Sequence, residues 1–134
     1  MAKPTIASLH RRLTIEFNKY IRLRDTETLK DGTRWGTCIS CGQALAIEKA
    51  NAGHFIPAKS YATRYNEANV NLQCVLCNKY KHGNPFGYVL GLRALYGEDV
   101  VFSLCEQQHL KKKYTSEMLL EMIALYKVKQ AEVQ

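Results

Sequence analysis

Two pairs of cysteines, Cys38/Cys41 and Cys74/Cys77, bracket the tripeptide Gly53-His54-Phe55. Each Cys-x-x-Cys places two thiolates on one tight turn, and two such turns supply the four soft ligands that tetrahedral Zn²⁺ prefers. A Cys-x-x-Cys can also be a redox dithiol, but that chemistry sits at a helix start in a βαβ pattern, which is absent here. Between the knuckles, from Glu48 to Val70, polar residues interrupt every apolar run, so the segment needs a staple. Structural zinc supplies one, because binding energies of about 10 to 16 kcal/mol in small zinc modules act as folding free energy.

The residues set around those knuckles can hydrolyse a phosphodiester. That reaction needs a base for water, a cation for the charge on phosphorus and the departing oxygen, and a rigid frame. His54 is the candidate base, since neutral imidazole takes a proton near pH 7. Asn69 could hold the loop or orient the imidazole, and Asn78, next to Cys77, offers an amide oxygen suited to a hard cation such as Mg²⁺ or Mn²⁺. A His between the knuckles, an Asn before the second and an Asn after it outline an HNH, or ββα-metal, nuclease.

The elements that must hold this site follow from periodicity. Apolar residues at Ile6, Leu9, Leu13, Phe17, Tyr20 and Ile21 predict an amphipathic helix over residues 5–25, capped by Thr5, with His10 on its surface and Arg11, Arg12, Lys19, Arg22 and Arg24 on its basic faces. Trp35–Ser40 and Gln43–Ile47 predict a hairpin carrying the first knuckle, and short strands are expected around His54-Phe55 and Asn69–Gln73. A short helix after Cys77, stopped by Gly83, precedes one from Pro85 to Tyr96 with Asn84 as cap. A helix over 98–110 and a last one capped by Thr115, with Leu119, Met122, Ile123 and Tyr126 on one face, complete the reading. The fold class is α+β and mostly helical: one domain over 1–134, with a zinc-stapled core at 34–84 between N- and C-terminal helices.

Size and charge agree with that reading. The chain has 134 residues, enough for one domain, with net charge +7 and pI near 9.2, which favours a polyanionic partner such as nucleic acid. No window holds the roughly 18 apolar residues a membrane span needs and the first residues lack a signal pattern, so a cytoplasmic location is expected. Five cysteines, four of them in pairs, fit metal binding in a reducing compartment; Cys105 is the spare, read as a small buried hydrophobe.

The order Tyr20-Ile21-Arg22-Leu23-Arg24-Asp25, Cys38-Ile39-Ser40-Cys41-Gly42, Ala52-Gly53-His54-Phe55, Arg64-Tyr65-Asn66-Glu67, Asn69, Gln73-Cys74-Val75-Leu76-Cys77-Asn78 and Lys81-His82-Gly83-Asn84 resembles the NinG (Rap) recombination proteins of lambdoid phages. More distantly, the order is similar to the endonuclease VII group of junction resolvases. The resemblance implies a structure-specific endonuclease for branched DNA such as Holliday junctions and D-loops, with His54 as base, Asn78 as ligand of the catalytic Mg²⁺ or Mn²⁺, Asn69 as supporting residue and the four paired cysteines as the structural zinc site. Two departures stand out: many HNH enzymes have Asp where this chain has Gly53, and NinG relatives commonly have Asp where it has Asn51. Asn51, Glu48 and Glu67 are therefore the candidate replacement ligands. The NinG pattern also carries a basic N-terminal extension that is missing here, which is expected to lower DNA affinity. Phosphate contacts are expected from Arg22, Arg24, Arg64, Lys79 and Lys81, and paired cuts in a four-way junction imply a homodimer. The other reading is a zinc-dependent DNA-binding accessory module without cleavage.

Overall fold

The helical period that begins at Thr5 is realised as α1 (Ile6–Arg24) in the computed structural model, which describes residues 2–134. The Thr5 hydroxyl accepts from the Ser8 N–H at 3.0 Å, giving a partner to a donor that the first turn leaves free. Ile6 is exposed in that first turn, while Leu9, Leu13, Phe17 and Ile21 are fully buried against α5 (Ser116–Glu132) through Leu119, Ile123 and Tyr126. His10 corrects the expectation of a surface residue. It is buried among the rings of Tyr61, Tyr65 and Tyr114, with Nδ1 2.7 Å from the Tyr65 hydroxyl. A one-stripe helical period misses this because α1 is covered on a second side by the segment carrying those tyrosines.

Three short strands, β1 (Thr26–Thr28), β2 (Arg34–Thr37) and β3 (Ala44–Ala46), form an antiparallel sheet in that order. The expected hairpin is present but shorter. It ends at Thr37 because Cys38 turns the chain: Gly42 N–H donates to Cys38 O, and Gly42 takes φ +77°, which glycine tolerates best. β1 was not expected, since its Thr-Glu-Thr is largely exposed and lacks an apolar alternation.

A separate antiparallel hairpin holds the centre of the molecule. β4 (Ala50–His54) pairs with β5 (Val70–Cys74), placing His54 opposite Val70 at one end and Ala50 opposite Cys74 at the other. Four residues of strand separate the ends, about 13 Å. A metal held by Cys74 therefore pins the end of the hairpin remote from the imidazole. The connection contains a single helical turn, α2 (Tyr61–Arg64). After β5 the chain enters a π-helical turn at Leu76–Tyr80, where a short ordinary helix was expected.

Asn84, in the left-handed region, caps α3 (Pro85–Tyr96) by accepting from Gly87 N–H at 3.3 Å. α4 (Glu98–Gln107) follows, and its Leu104 joins Ile56, Tyr88 and Leu92 in a cluster with Cys105 half-buried at the edge. The hairpin is thus gripped from two sides, Ala52 and Val70 by α1 and Gly53 by Tyr88 of α3. The whole is α+β with roughly half of the chain helical. No helix among the described residues is long and apolar enough to cross a membrane.

Candidate metal centre and hydrolytic site

The two knuckles converge. The Sγ atoms of Cys38, Cys41, Cys74 and Cys77 lie within 4.8 Å of one another, and those of Cys41 and Cys74 are 3.8 Å apart. Zn–S bonds of about 2.3 Å in a tetrahedron require sulfurs about 3.8 Å apart, so the donor set fits zinc. The thiols are free, and the cluster is far too open for a disulfide, whose sulfurs sit about 2.05 Å apart. Cys74 N–H donates to Cys38 Sγ, Cys77 N–H to Cys74 Sγ and Asn84 Nδ2 to Cys77 Sγ, each at 3.4 Å. Burial raises the pKa of all four, but N–H groups of Cys74, Cys41 and Ser40 outweigh it at Cys38 and bring that thiol below its ordinary value. Cys41, Cys74 and Cys77 stay raised by burial, and charge on Cys38 adds to the effect. Such crowded sulfurs ionise together only around a cation.

His54 closes β4 and is half-buried. Its Nε2 lies 2.9 Å from the backbone oxygen of Arg64. A carbonyl only accepts, so Nε2 carries the proton and Nδ1 holds the lone pair in the neutral ring. Nδ1 has no partner among the described residues and is not sealed from solvent. Burial lowers the pKa below 6.5, the Arg64 charge lowers it further, and the bond to the Arg64 carbonyl works against both. No carboxylate acts on the ring. The imidazole is therefore a neutral base at pH 7, aligned by backbone.

That backbone is itself clamped. Asn69 is fully buried: Oδ1 accepts from Ile56 N–H at 2.8 Å, and Nδ2 donates to Ile56 O at 3.0 Å and to Thr63 O at 3.1 Å. It ties the residues after His54 to the turn whose Arg64 carbonyl holds the ring. Asn69 does not touch the imidazole, so of the two roles expected of it, holding the loop or orienting the ring, the geometry gives the first. Two further clamps escaped the sequence reading. The buried Tyr88 hydroxyl donates to Gly53 O at 2.6 Å and accepts from Asn71 Nδ2 at 3.2 Å. Only the unusual polarity of Tyr88 on an apolar helix face hinted at this.

Neither carboxylate named as a candidate cation ligand fits that role. Glu67 is withdrawn as a candidate, because its carboxylate takes bonds from Lys129 Nζ at 2.7 Å, Tyr126 at 3.0 Å and Tyr20 at 3.2 Å. Glu48 is exposed on a 3₁₀ turn and lines a cleft with Lys19 and Arg22 rather than with His54. Asn78 lies in the π-turn with its amide unpartnered and open to solvent. Asn51 sits in β4 opposite Gln73, and its Nδ2 is buried without a partner. Of the two, Asn78 presents an amide oxygen open to a hard cation bound without protein charge, whereas the buried orphan of Asn51 is an N–H donor.

Of the expected phosphate contacts, Lys79 and Lys81 are exposed just beyond the zinc ligand Cys77, and Arg22 is half-buried. Arg64 is half-buried over the rings of Tyr61 and Tyr65 and donates to the Thr14 hydroxyl. Arg24 is corrected. Its guanidinium holds Asp25 at 2.7 and 3.0 Å, Glu67 O at 2.8 Å, Val70 O at 3.0 Å and Asn71 Oδ1 at 3.1 Å, which leaves it no fork for a phosphate.

The chain matches the family profile described as Bacteriophage Lambda NinG protein over residues 5–134. It is 34% identical to the Protein ninG of Escherichia phage lambda over 113 residues, covering 84% of this chain and 50% of that protein. Against the Protein ninG of Escherichia phage 933W and of Salmonella phage P22 it is 33% identical, again over 84% of this chain and 51% of each relative. The chain thus spans about half the length of the curated relatives it matches. No solved structure matches it.

Proposed function

The chain belongs to the NinG family of bacteriophage proteins, and from that premise we propose that it is an HNH-type endonuclease that cuts branched recombination intermediates, Holliday junctions and D-loops among them. The observation that carries this reading is the imidazole of His54, which is half-buried, neutral, fixed in one tautomer by Arg64 O and open at Nδ1. The β4–β5 hairpin followed by the Leu76–Tyr80 turn supports the reading, since two strands and a short helical segment are what a ββα-metal core requires. In the reaction, Nδ1 takes a proton from water as its oxygen attacks phosphorus, and the bond to the 3′-oxygen breaks, leaving a 5′-phosphate and a 3′-hydroxyl. A bound Mg²⁺ or Mn²⁺ would supply charge stabilisation on the phosphate and the departing oxygen. Asn78 is the residue to hold it, while the cysteine-bound zinc keeps the hairpin from moving. Arg22, Arg64, Lys79 and Lys81 supply shape-reading phosphate contacts, and two opposed cuts call for a homodimer.

The absence of any carboxylate acting on His54 favours a second reading, a zinc-dependent DNA-binding module that does not cleave. His54→Ala separates the two. The nuclease reading expects intact folding and junction binding, with cleavage reduced by about 10² or more. If the wild-type chain cuts no linear, flapped, D-loop or four-way substrate in Mg²⁺ or Mn²⁺, the binding module is the correct reading.

A further inference from the structure

Among the described residues, no Phe, Tyr or Trp is more open to solvent than Phe86 and Tyr80, at 78% and 75% exposed. They flank one turn, Tyr80 closing the π-helical segment after Cys77 and Phe86 in the first turn of α3. That turn is fastened. Lys81 N–H donates to Leu76 O at 2.9 Å, Gly83 N–H to Cys77 O at 2.9 Å and Asn84 N–H to Lys81 O at 2.8 Å. Gln73 Nε2 donates to Gly83 O at 2.8 Å and Asn84 Nδ2 to Cys77 Sγ at 3.4 Å, which ties the turn to β5 and to the cysteine cluster. His82, Gly83 and Asn84 take φ of 50°, 88° and 39°, three consecutive residues in the left-handed region that only glycine adopts freely. A strained and well-tied turn therefore keeps two rings in water, where neither adds to the core. The charge around them is of one sign. Lys79 and Lys81 are exposed on either side of Tyr80, His82 follows, no carboxylate pairs with either lysine among the described residues, and the chain has no acidic residue between Glu67 and Glu98.

We propose that the ring of Tyr80 stacks on an unpaired base at a DNA branch point while Lys79 and Lys81 hold the phosphates on either side of it. An aromatic face between two free cations matches a nucleotide, whose base is flat and apolar and whose backbone is anionic. Phe86 lacks such neighbours, standing between Pro85 and Gly87. A second copy of the chain fits the surface worse, because docking there would bring like-charged lysines together. Bases inside a duplex have both faces covered, so only an unpaired base offers the ring a partner. Tyr80 thus selects branches that carry single-stranded nucleotides, flaps and D-loops, over a linear duplex. This assignment rests on the reading of the chain as a protein of branched DNA, but not on cleavage.

A flapped duplex with 2-aminopurine at the unpaired position next to the branch tests this by binding, using zinc-loaded protein without added Mg²⁺ or Mn²⁺ so that no strand is cut. Fluorescence anisotropy of the same DNA reads affinity, and the emission of 2-aminopurine, which falls on stacking, reads the contact. Wild type is expected to quench the emission. Tyr80→Ala is expected to lose the quench and bind the flap about tenfold more weakly, with linear-duplex affinity changed by less than about twofold. Tyr80→Phe keeps the ring and is expected to retain both the quench and the preference. Because the side chain lies outside the core, all three proteins should share one melting temperature. Binding of the flap by wild type without quenching, equal losses on flapped and linear DNA, or a loss in Tyr80→Phe as large as in Tyr80→Ala overturns the proposal. So does a change in oligomeric state in Tyr80→Ala, by light scattering, with the flap preference intact, which would mark a protein contact instead. Failure of the nuclease reading looks different: quench and preference appear as expected, yet no substrate is cut once Mn²⁺ is added.

Discussion

Arg24→Met tests whether the basic end of α1 serves the fold or the DNA. The wild-type guanidinium makes two bonds to Asp25 and three to Glu67 O, Val70 O and Asn71 Oδ1, while Asp25 in turn accepts from Leu72 N–H at 3.0 Å. Methionine keeps the aliphatic stem and removes the charge and every donor. Breaking a buried pair on one side costs about 3 to 5 kcal/mol. Arg24 and Asp25 side chains are 18% and 20% exposed, so water shields part of the remaining charge and the lower end applies, about 3 kcal/mol. For a domain of this size that corresponds to a fall in melting temperature of about 10 °C. Thermal unfolding of the zinc-loaded protein by circular dichroism reads this directly, alongside junction affinity across a salt series. A phosphate-contacting surface arginine gives the opposite pattern, a stability change within about 0.5 kcal/mol and a shallower salt slope by about one ion. That second pattern would refute the internal role given to Arg24.

Lys81→Ala should show that surface pattern, with stability unchanged and the log K against log salt slope shallower by about 0.9, measured by the same titration. Asn69→Leu leaves Ile56 N–H, Ile56 O and Thr63 O without partners and should cost about 3 kcal/mol; on the nuclease reading, cleavage should fall through kcat with KM little changed, which single-turnover kinetics on a four-way substrate would show. Removal of zinc by a chelator, or Cys77→Ser, should abolish the cooperative unfolding transition of the hairpin, and elemental analysis should find one zinc per chain before treatment and none after. Acid should weaken the fold through His10 and His54. Burial lowers both pKa values below 6.5, with the Arg64 charge as a second cause. Below 6.5 the unfolded chain therefore binds more protons, and stability falls as pH drops from 6.5 through the folded values, with no contribution from these groups above it. Urea titrations between pH 5 and pH 8, values chosen to span about the ordinary histidine pKa, check the sign, and on the nuclease reading the acidic limb of cleavage should lie below 6.5 as well.

Local signals in the chain were enough for its cluster of four cysteines and its four long helices. Two Cys-x-x-Cys turns declare a tetrahedral thiolate set wherever they meet, and the structure brings their sulfurs within 4.8 Å. Thr5, Asn84 and Thr115 each accept from a donor three residues on, so the starts of α1, α3 and α5 were readable from nearby residues. What the sequence could not decide were contacts between residues far apart in the chain. Arg22 and Arg24 are alike in type and spacing, yet only Arg24 meets Asp25, Glu67 O and Val70 O together. Glu67 reads as a free acid until Lys129 and Tyr126 of α5 reach it. Gly53 reads as a lost ligand until β5 lays Gln73 across it. Hydrogen bonds and burial depend on the groups that packing brings into reach, and the pattern along the strand is silent on what the next strand places opposite.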